Sequence, residues 1–402
     1  MLATSLLKRV LWVLRFPSFA PESGNYRVGA IQTRLPDSIA CQIHYPANTT
    51  PLQPKQQDFT PYMRPQAVDG IADYSRTPAS LLQFLAYRQH PCAVNAEPLQ
   101  GRFPVVLFSH GLGGCMEMYT QLCQQVASHG FIVVAMEHEE GSGAYAETPL
   151  GQPILYSRPD DSPYSRQKVL NFRRPFLKQR VEETTRVLEI LLNKNKNATI
   201  PPHVQKILQV ADTSRGIAFL GHSFGAASLM LATRQYLDSK QQQQQQARMI
   251  PNSLSVLDPW CFSLEDDVLN QGMPTEIPTL SILSENWLTN PEVKQVDQFL
   301  QHCNTLSSWF IPKSAHASFS DAVSWLPRVV GRKLYLCHKQ EQKHKTVPTA
   351  AKACVDHIQS ALLAAGDNNN YQPPQASEFL QEYKTPQILR KVPSKVVANT
   401  AN

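Results

Sequence analysis

No uncharged apolar run in the 402 residues approaches the roughly 18 to 20 residues of a membrane-spanning helix, so nothing points to an integral helical membrane protein. Basic blocks are missing as well. The 38 Lys and Arg residues outnumber the 32 Asp and Glu only slightly, and the net charge of +6 is spread thinly, which argues against a nucleic-acid partner. No cysteine pair has CxxC spacing: Cys41, Cys92, Cys115, Cys123, Cys261, Cys303, Cys337 and Cys354 lie far apart, in a chain too long to need disulfide staples. An uncharged leader is absent. The apolar stretch at residues 6–16 carries Lys8, Arg9 and Arg15 where a signal peptide would stay uncharged. Residues 1–20 therefore read as an amphipathic anchor, with a frayed surface helix as the alternative. A cytoplasmic location with peripheral membrane association is favoured over secretion, although an even cysteine number and sequons at Asn48 and Asn197 would suit a secreted chain. Leu2 stands where myristoylation needs glycine, and Thr400-Ala401-Asn402 is no retention or peroxisomal address.

What is present is an ordinary globular composition, 42% apolar, organised as one domain over residues 21–365. Short β-type segments at 26–31 and 39–45 suggest an antiparallel lead-in. Thr77-Pro78 then supplies a cap and first-turn proline for an apolar helix over 79–87. Continuous apolar runs at 104–108, 130–135, 216–220, 253–257 and 279–283 have strand length, and helical patterns lie between them. Fully apolar strands alternating with helices predict an α/β fold with a mostly parallel central sheet buried on both faces. Residues 141–175 and 239–250, the latter holding the glutamine tract 241–246, read as loop insertions, and 366–402 as a loose tail.

Gly221-His222-Ser223-Phe224-Gly225 stands between an apolar strand and a helix-like run. This is the setting of a nucleophile elbow, whose strained strand-to-helix turn needs small residues two before and two after the serine. A serine hydroxyl is a poor nucleophile and needs a base oriented by an acid; in this fold the acid and then the histidine follow the serine along the chain. Asp258, directly after the run 253–257, is the favoured acid, with Glu285, Asp266 and Asp267 as rivals. His316 is the favoured base, because His302, His338, His344 and His357 fall in helices or a basic stretch. Ser109-His110-Gly111-Leu112-Gly113-Gly114 follows the first buried strand, where the fold places the second oxyanion donor, so the backbone N–H groups of Leu112 and Phe224 are the expected hole.

These residues, with Ala127-Ser-His-Gly-Phe-Ile132, Glu137-His138 and Leu257-Asp258-Pro259-Trp260, resemble the platelet-activating factor acetylhydrolases of the plasma and intracellular type II class, over about residues 25–365. The chain departs from that family's pattern at Pro259 and Ala226. The resemblance implies an α/β-hydrolase fold and calcium-independent hydrolysis of short or oxidised sn-2 acyl groups from glycerophospholipids. Ser223, Asp258 and His316 would form the triad, Leu112 and Phe224 the oxyanion hole, with no metal or cofactor. It also implies a phospholipid substrate and docking at a membrane or lipoprotein surface, with Leu81, Leu82, Phe84 and Leu85 as candidate lipid contacts; core burial is the competing explanation. Another lipase or carboxylesterase of the same fold, or a non-catalytic lipid-binding protein, are the alternatives.

Overall fold

A computed structural model describes residues 19–49, 60–160, 164–192, 200–243, 251–334, 336–342, 345–364 and 371–383. The expected anchor at 1–20 lies outside them except for its last two residues, and the second half of the glutamine tract lies outside as well. The chain opens with β1 (Val28–Arg34) and β2 (Ala40–Pro46), then α1 (Pro65–Ser75), β3 (Ala93–Val94), β4 (Phe103–Ser109), α2 (Thr120–Ser128) and β5 (Ile132–Met136). A hairpin, β6 (Tyr145–Glu147) and β7 (Pro153–Leu155), precedes α3 (Arg166–Leu191), α4 (Pro202–Gln209) and β8 (Ala211–Asp212). There follow β9 (Ala218–His222), α5 (Phe224–Gln243), β10 (Ser253–Leu257), α6 (Asp266–Gln271) and β11 (Thr279–Ser284). The described chain ends with α7 (Val293–Leu300), β12 (Leu306–Ile311), α8 (Arg328–Lys333), α9 (Thr346–Ala364) and β13 (Gln381–Glu382).

The sheet runs β13-β12-β11-β10-β9-β4-β5-β2-β1-β3, with β8 added beside β4. From β5 to β12 every neighbouring pair is parallel, while β2 joins β5 and β13 joins β12 antiparallel. The five apolar runs read from the sequence are β4, β5, β9, β10 and β11. Their pleat divides the core in two. Val105 and Leu107 bury with Leu177 and Val181 of α3 and Leu229 of α5, whereas Val106 and Phe108 bury with Leu122 and Val126 of α2 and Val355 and Ile358 of α9. A third cluster, Tyr62, Met63, Val68, Leu85, Tyr145 and Trp325, fastens α1 and the following turns over the C-terminal ends of the strands.

Four expectations need correction. Residues 141–175 are not one loop: they hold the β6–β7 hairpin, and α3 begins at Arg166, capped by Ser165 Oγ accepting from Lys168 N at 3.4 Å. Pro175 sits inside that helix and disguised it, since a proline removes only one backbone hydrogen bond, and packing of Leu170, Leu177 and Val181 outweighs that loss. Likewise 239–243 continue α5 rather than opening a loop. The segment 79–87 is two 3₁₀ turns, Ala79–Leu81 and Gln83–Leu85, rather than a helix, and Leu82 and Leu85 are buried in the third cluster. They are core residues and cannot reach a lipid surface.

The fourth correction concerns the tail. Residues 371–383 are held down by β13 against β12, by Leu380 and Tyr383, both buried, and by the Tyr371 hydroxyl, 2.5 Å from His357 Nδ1. No described helix is long and apolar enough to cross a membrane. Leu380→Ala should lower the free energy of unfolding by about 2 to 3 kcal/mol in a denaturant titration. A loose tail would leave the midpoint unmoved.

Candidate active site

Parallel strands place their C-terminal ends along one edge, and Ser223, Asp258 and His316 are each delivered there by the turn that leaves a strand. At the end of β9 the chain reverses into α5 within one residue, Ser223, held at φ +56°. Two hydrogen bonds keep this strained residue in place: Ser223 N–H donates to Leu257 O at 2.9 Å and Ser223 O accepts from Trp260 N at 3.1 Å. A Cβ on Gly221 would lie 2.7 Å from the Ala226 backbone, and one on Gly225 only 2.1 Å from Ser109 O. Both glycines are therefore steric requirements of the turn.

Asp258 follows β10 at φ +41°, its N–H donating to Ile282 O at 3.0 Å. The carboxylate is fully buried, with Ser284 N–H donating to Oδ1 and Ser284 Oγ to Oδ2, each at 2.6 Å. His316 Nδ1 is 3.0 Å from Asp258 Oδ2, and His316 Nε2 is 3.0 Å from Ser223 Oγ. Donation of Nδ1–H to the carboxylate leaves Nε2 free to accept the serine proton. The rival acids are engaged elsewhere: Glu285 accepts from Lys313 N at 2.5 Å, Asp266 pairs with Arg166 at 2.8 Å, and Asp267 accepts from Val268 N at 2.8 Å.

The His316 ring lies between two aromatic planes, Trp287 at 4.4 Å and 17° on one contact and His222 at 4.5 Å and 37° on another. His222 is positioned in turn by Tyr119. Gly111 N–H donates to the Tyr119 hydroxyl at 3.2 Å, and that hydroxyl lies 2.8 Å from His222 Nδ1. Burial, and then the charge of His316, hold the His222 imidazole far below its usual range, so it stays neutral beside the His316 ring. The His222, Asp258 and His316 ligand atoms fall within 4.8 Å of one another. A cation there would have to displace the His316–Asp258 hydrogen bond, so the donor set suits that bond rather than a metal.

Within the turn after β4, Gly113 N–H is committed to Ser142 O at 2.8 Å and Gly114 N–H to Gly111 O at 3.1 Å. Among the described residues the Leu112 N–H meets no such acceptor. Phe224 is the first residue of α5, so its N–H is one of the unsatisfied donors at a helix start. Leu81, 63% exposed, stands away from the core, and Phe84 is partly buried. Residues that sequence reasoning missed are Ser284, Trp287, Tyr119 and His222, although His222 sits inside the elbow motif itself.

With the geometry in view, the relatives can be named. A sequence model of the family described as platelet-activating factor acetylhydrolase, isoform II, matches residues 17–379. The chain belongs to that family. It is 28% identical to the platelet-activating factor acetylhydrolase of Cavia porcellus over 65% of this chain and 56% of that one. The corresponding protein of Canis lupus familiaris is 24% identical over 65% and 59%, and a putative phospholipase A2 of Schizosaccharomyces pombe 26% identical over 52% and 53%. The chain thus matches little more than half the length of these curated relatives. The α/β-hydrolase fold is shared with a ferulic acid esterase from Streptomyces cinnamoneus, at a TM-score of 0.60 and 16% identity over 92% of this chain and all of that one.

The loop that carries His316 is tied down by Asp321, which is fully buried. Its carboxylate accepts from Tyr62 Oη at 2.9 Å and from Gln121 N at 3.1 Å, and Gln121 Nε2 also donates to Ser324 Oγ at 3.0 Å. Burial pushes this carboxyl up from 3.8 to about 7, against the lowering influence of these donors and of the Arg88 charge. The folded state then binds more protons than the unfolded state between the two values, so this group's contribution weakens as pH rises from about 4 to about 7. Asp321→Asn should flatten that part of the stability–pH curve, as measured by urea titrations across the range; an unchanged slope would refute the assignment.

Proposed function

We propose that this chain is a calcium-independent serine esterase that hydrolyses the sn-2 acetyl, short or oxidised acyl ester of glycerophospholipids. The observation that carries the reading is the hydrogen-bonded series from Ser223 through His316 to Asp258, 3.0 Å at each step, in a chain of this family. Ser223 Oγ attacks the ester carbonyl while His316 Nε2 takes its proton; Asp258 holds the imidazole in the required tautomer and stabilises the imidazolium. The carbonyl oxygen becomes an oxyanion facing the Leu112 and Phe224 N–H groups, each donor contributing about 3 kcal/mol. His316 then returns the proton to the departing lysophospholipid oxygen, and a water repeats the sequence on the acyl-enzyme.

His316 has a side chain 36% exposed, so the base meets substrate at an open face rather than inside the core. On the same reading, Leu81 and Tyr87, 63% and 76% exposed, are the side chains of the 79–87 segment that contact a lipid surface, which makes association with that surface peripheral.

Acyl release from paired phosphatidylcholines, one sn-2 acetyl and one sn-2 long-chain, in the presence of a calcium chelator tests the assignment. Acetyl-selective turnover is expected, with Ser223→Ala lowering kcat by about 10⁶ and Asp258→Asn by about 10⁴. Long-chain or sn-1 release would make the enzyme a general phospholipase or carboxylesterase, and activity that survived Ser223→Ala would sink the mechanism.

A further inference from the structure

Behind the oxyanion turn lies a layer of buried charge that the triad does not use. Arg180, on α3, is fully buried, and its guanidinium is spread over five groups, Ser109 Oγ among them at 3.5 Å. Nη1 donates to His110 O at 2.7 Å, Nη2 to Ser142 Oγ at 2.6 Å, and Nε to Glu140 Oε1 at 2.6 Å, while Cζ lies 4.8 Å from the centroid of the Phe224 ring. His110 and Ser142 belong to the two turns that leave β4 and β5. Those turns are stitched to each other by Gly113 N–H to Ser142 O and Ala144 N–H to Gly114 O, both at 2.8 Å. One guanidinium therefore touches the turn that presents Leu112 and the side chain of the residue that presents the other donor.

One helical turn further along α3, Glu183 Oε2 is 2.7 Å from His138 Nδ1, and His138 Nε2 is 2.8 Å from Ser109 Oγ. The order serine, histidine, acid looks like a second triad, but all three side chains are fully buried and no substrate reaches them. Burial and the Arg180 charge hold His138 far below its usual range, so it stays neutral and bridges Glu183 and Ser109. The Ser109 oxygen also accepts from Arg180 Nη1 at 3.5 Å. The array fixes the first residue of the oxyanion turn from beneath, as Arg180 fixes the second.

An ion pair buried this deeply is a poor stabiliser, since apolar groups of the same volume commonly do as well or better. Its position directly behind both donors calls for a different use. We propose that Arg180 is a positioning residue for the oxyanion hole, setting the distance and direction of the Leu112 and Phe224 N–H groups through the His110 carbonyl and the Phe224 ring. The proposal rests on the esterase reading above. Lysine cannot replace it, because an ammonium has no planar fork to serve a carbonyl, a hydroxyl and a carboxylate at once.

The test uses p-nitrophenyl acetate, an activated ester, so that failure on phospholipids would overturn the substrate assignment without touching this one. Two variants are compared with wild type: Arg180→Met combined with Glu140→Gln, which leaves no orphan charge, and Ser142→Ala, which removes a guanidinium acceptor. The double variant should lose about 100-fold in kcat with KM changed by less than about twofold, the pattern of an interaction made only in the transition state. Its affinity for a trifluoromethyl ketone, which forms a tetrahedral oxyanion on Ser223, should fall by a similar factor, while affinity for an ether analogue of the substrate stays constant. Ser142→Ala should show the same split at a few-fold. Ketone and ether affinities falling together, or kcat unchanged in either folded variant, would overturn the proposal.

Discussion

The site depends on how closely two neighbouring turns approach. Because β4 and β9 are adjacent and parallel, the turns that leave them emerge side by side, and Gly225 lies so near Ser109 O that a Cβ would come within 2.1 Å of it. Gly111 is also tight from the other side, though less so, a Cβ there falling 3.0 Å from Ser223 Cβ. A nucleophile and its oxyanion donors have to share one reacting atom, so their backbones must be this close. The requirement propagates outward: Ser223 takes a left-handed conformation to fit the turn, and hydrogen bonds from neighbouring strand ends hold it there.

The strand order does the rest of the assembly. β10 and β11 lie beyond β9, so Asp258 and Ser284 leave adjacent strand ends, and Ser284 supplies both donors that fix the carboxylate. β12 follows β11 and delivers the His316 turn to the same edge, where Trp287 from the turn after β11 covers the imidazole. The serine, acid and histidine are thus successive products of one parallel sheet read from its middle outward. Their order along the chain follows from the order of the strands.

This explains which parts of the sequence were legible. Buried parallel strands are continuous apolar runs, and the residue after each run marks the working edge, so Ser223, Asp258 and the glycine-rich turn could be located from pattern alone. Arg180 and Glu183 could not, because α3 carries so many polar residues that a charged pair on it reads as solvated surface. Only the fold reveals that the face bearing them is pressed against the strand ends. Leu82 and Leu85 misled for the opposite reason: an apolar cluster looks the same whether it faces lipid or its own core, and here Tyr62 and Trp325 supply the core. In the tail, three well-spaced anchors, Tyr371, Leu380 and Tyr383, sit in a polar composition that masks them.

The polar layer around the site has a consequence for the whole protein. Glu137, Glu183 and Asp321 are each pushed up to about 7 by burial, and each braces a segment near the candidate site: Glu137 through Arg64 at the start of α1, Glu183 through His138, and Asp321 through Tyr62 and Gln121. Groups raised in this way favour the folded state when protonated, so they give least stability at and above neutral pH. Apolar side chains in the same places would avoid that cost, but they would leave the Glu139 and Gln121 N–H groups and part of the Arg64 guanidinium unpaired, each a penalty of about 1 to 3 kcal/mol. Turns at strand ends have no ladder to satisfy them. Holding several such turns in fixed relation inside a dry edge of the sheet therefore requires buried polar side chains, and the stability they forgo is the physical counterpart of a site already assembled before substrate arrives.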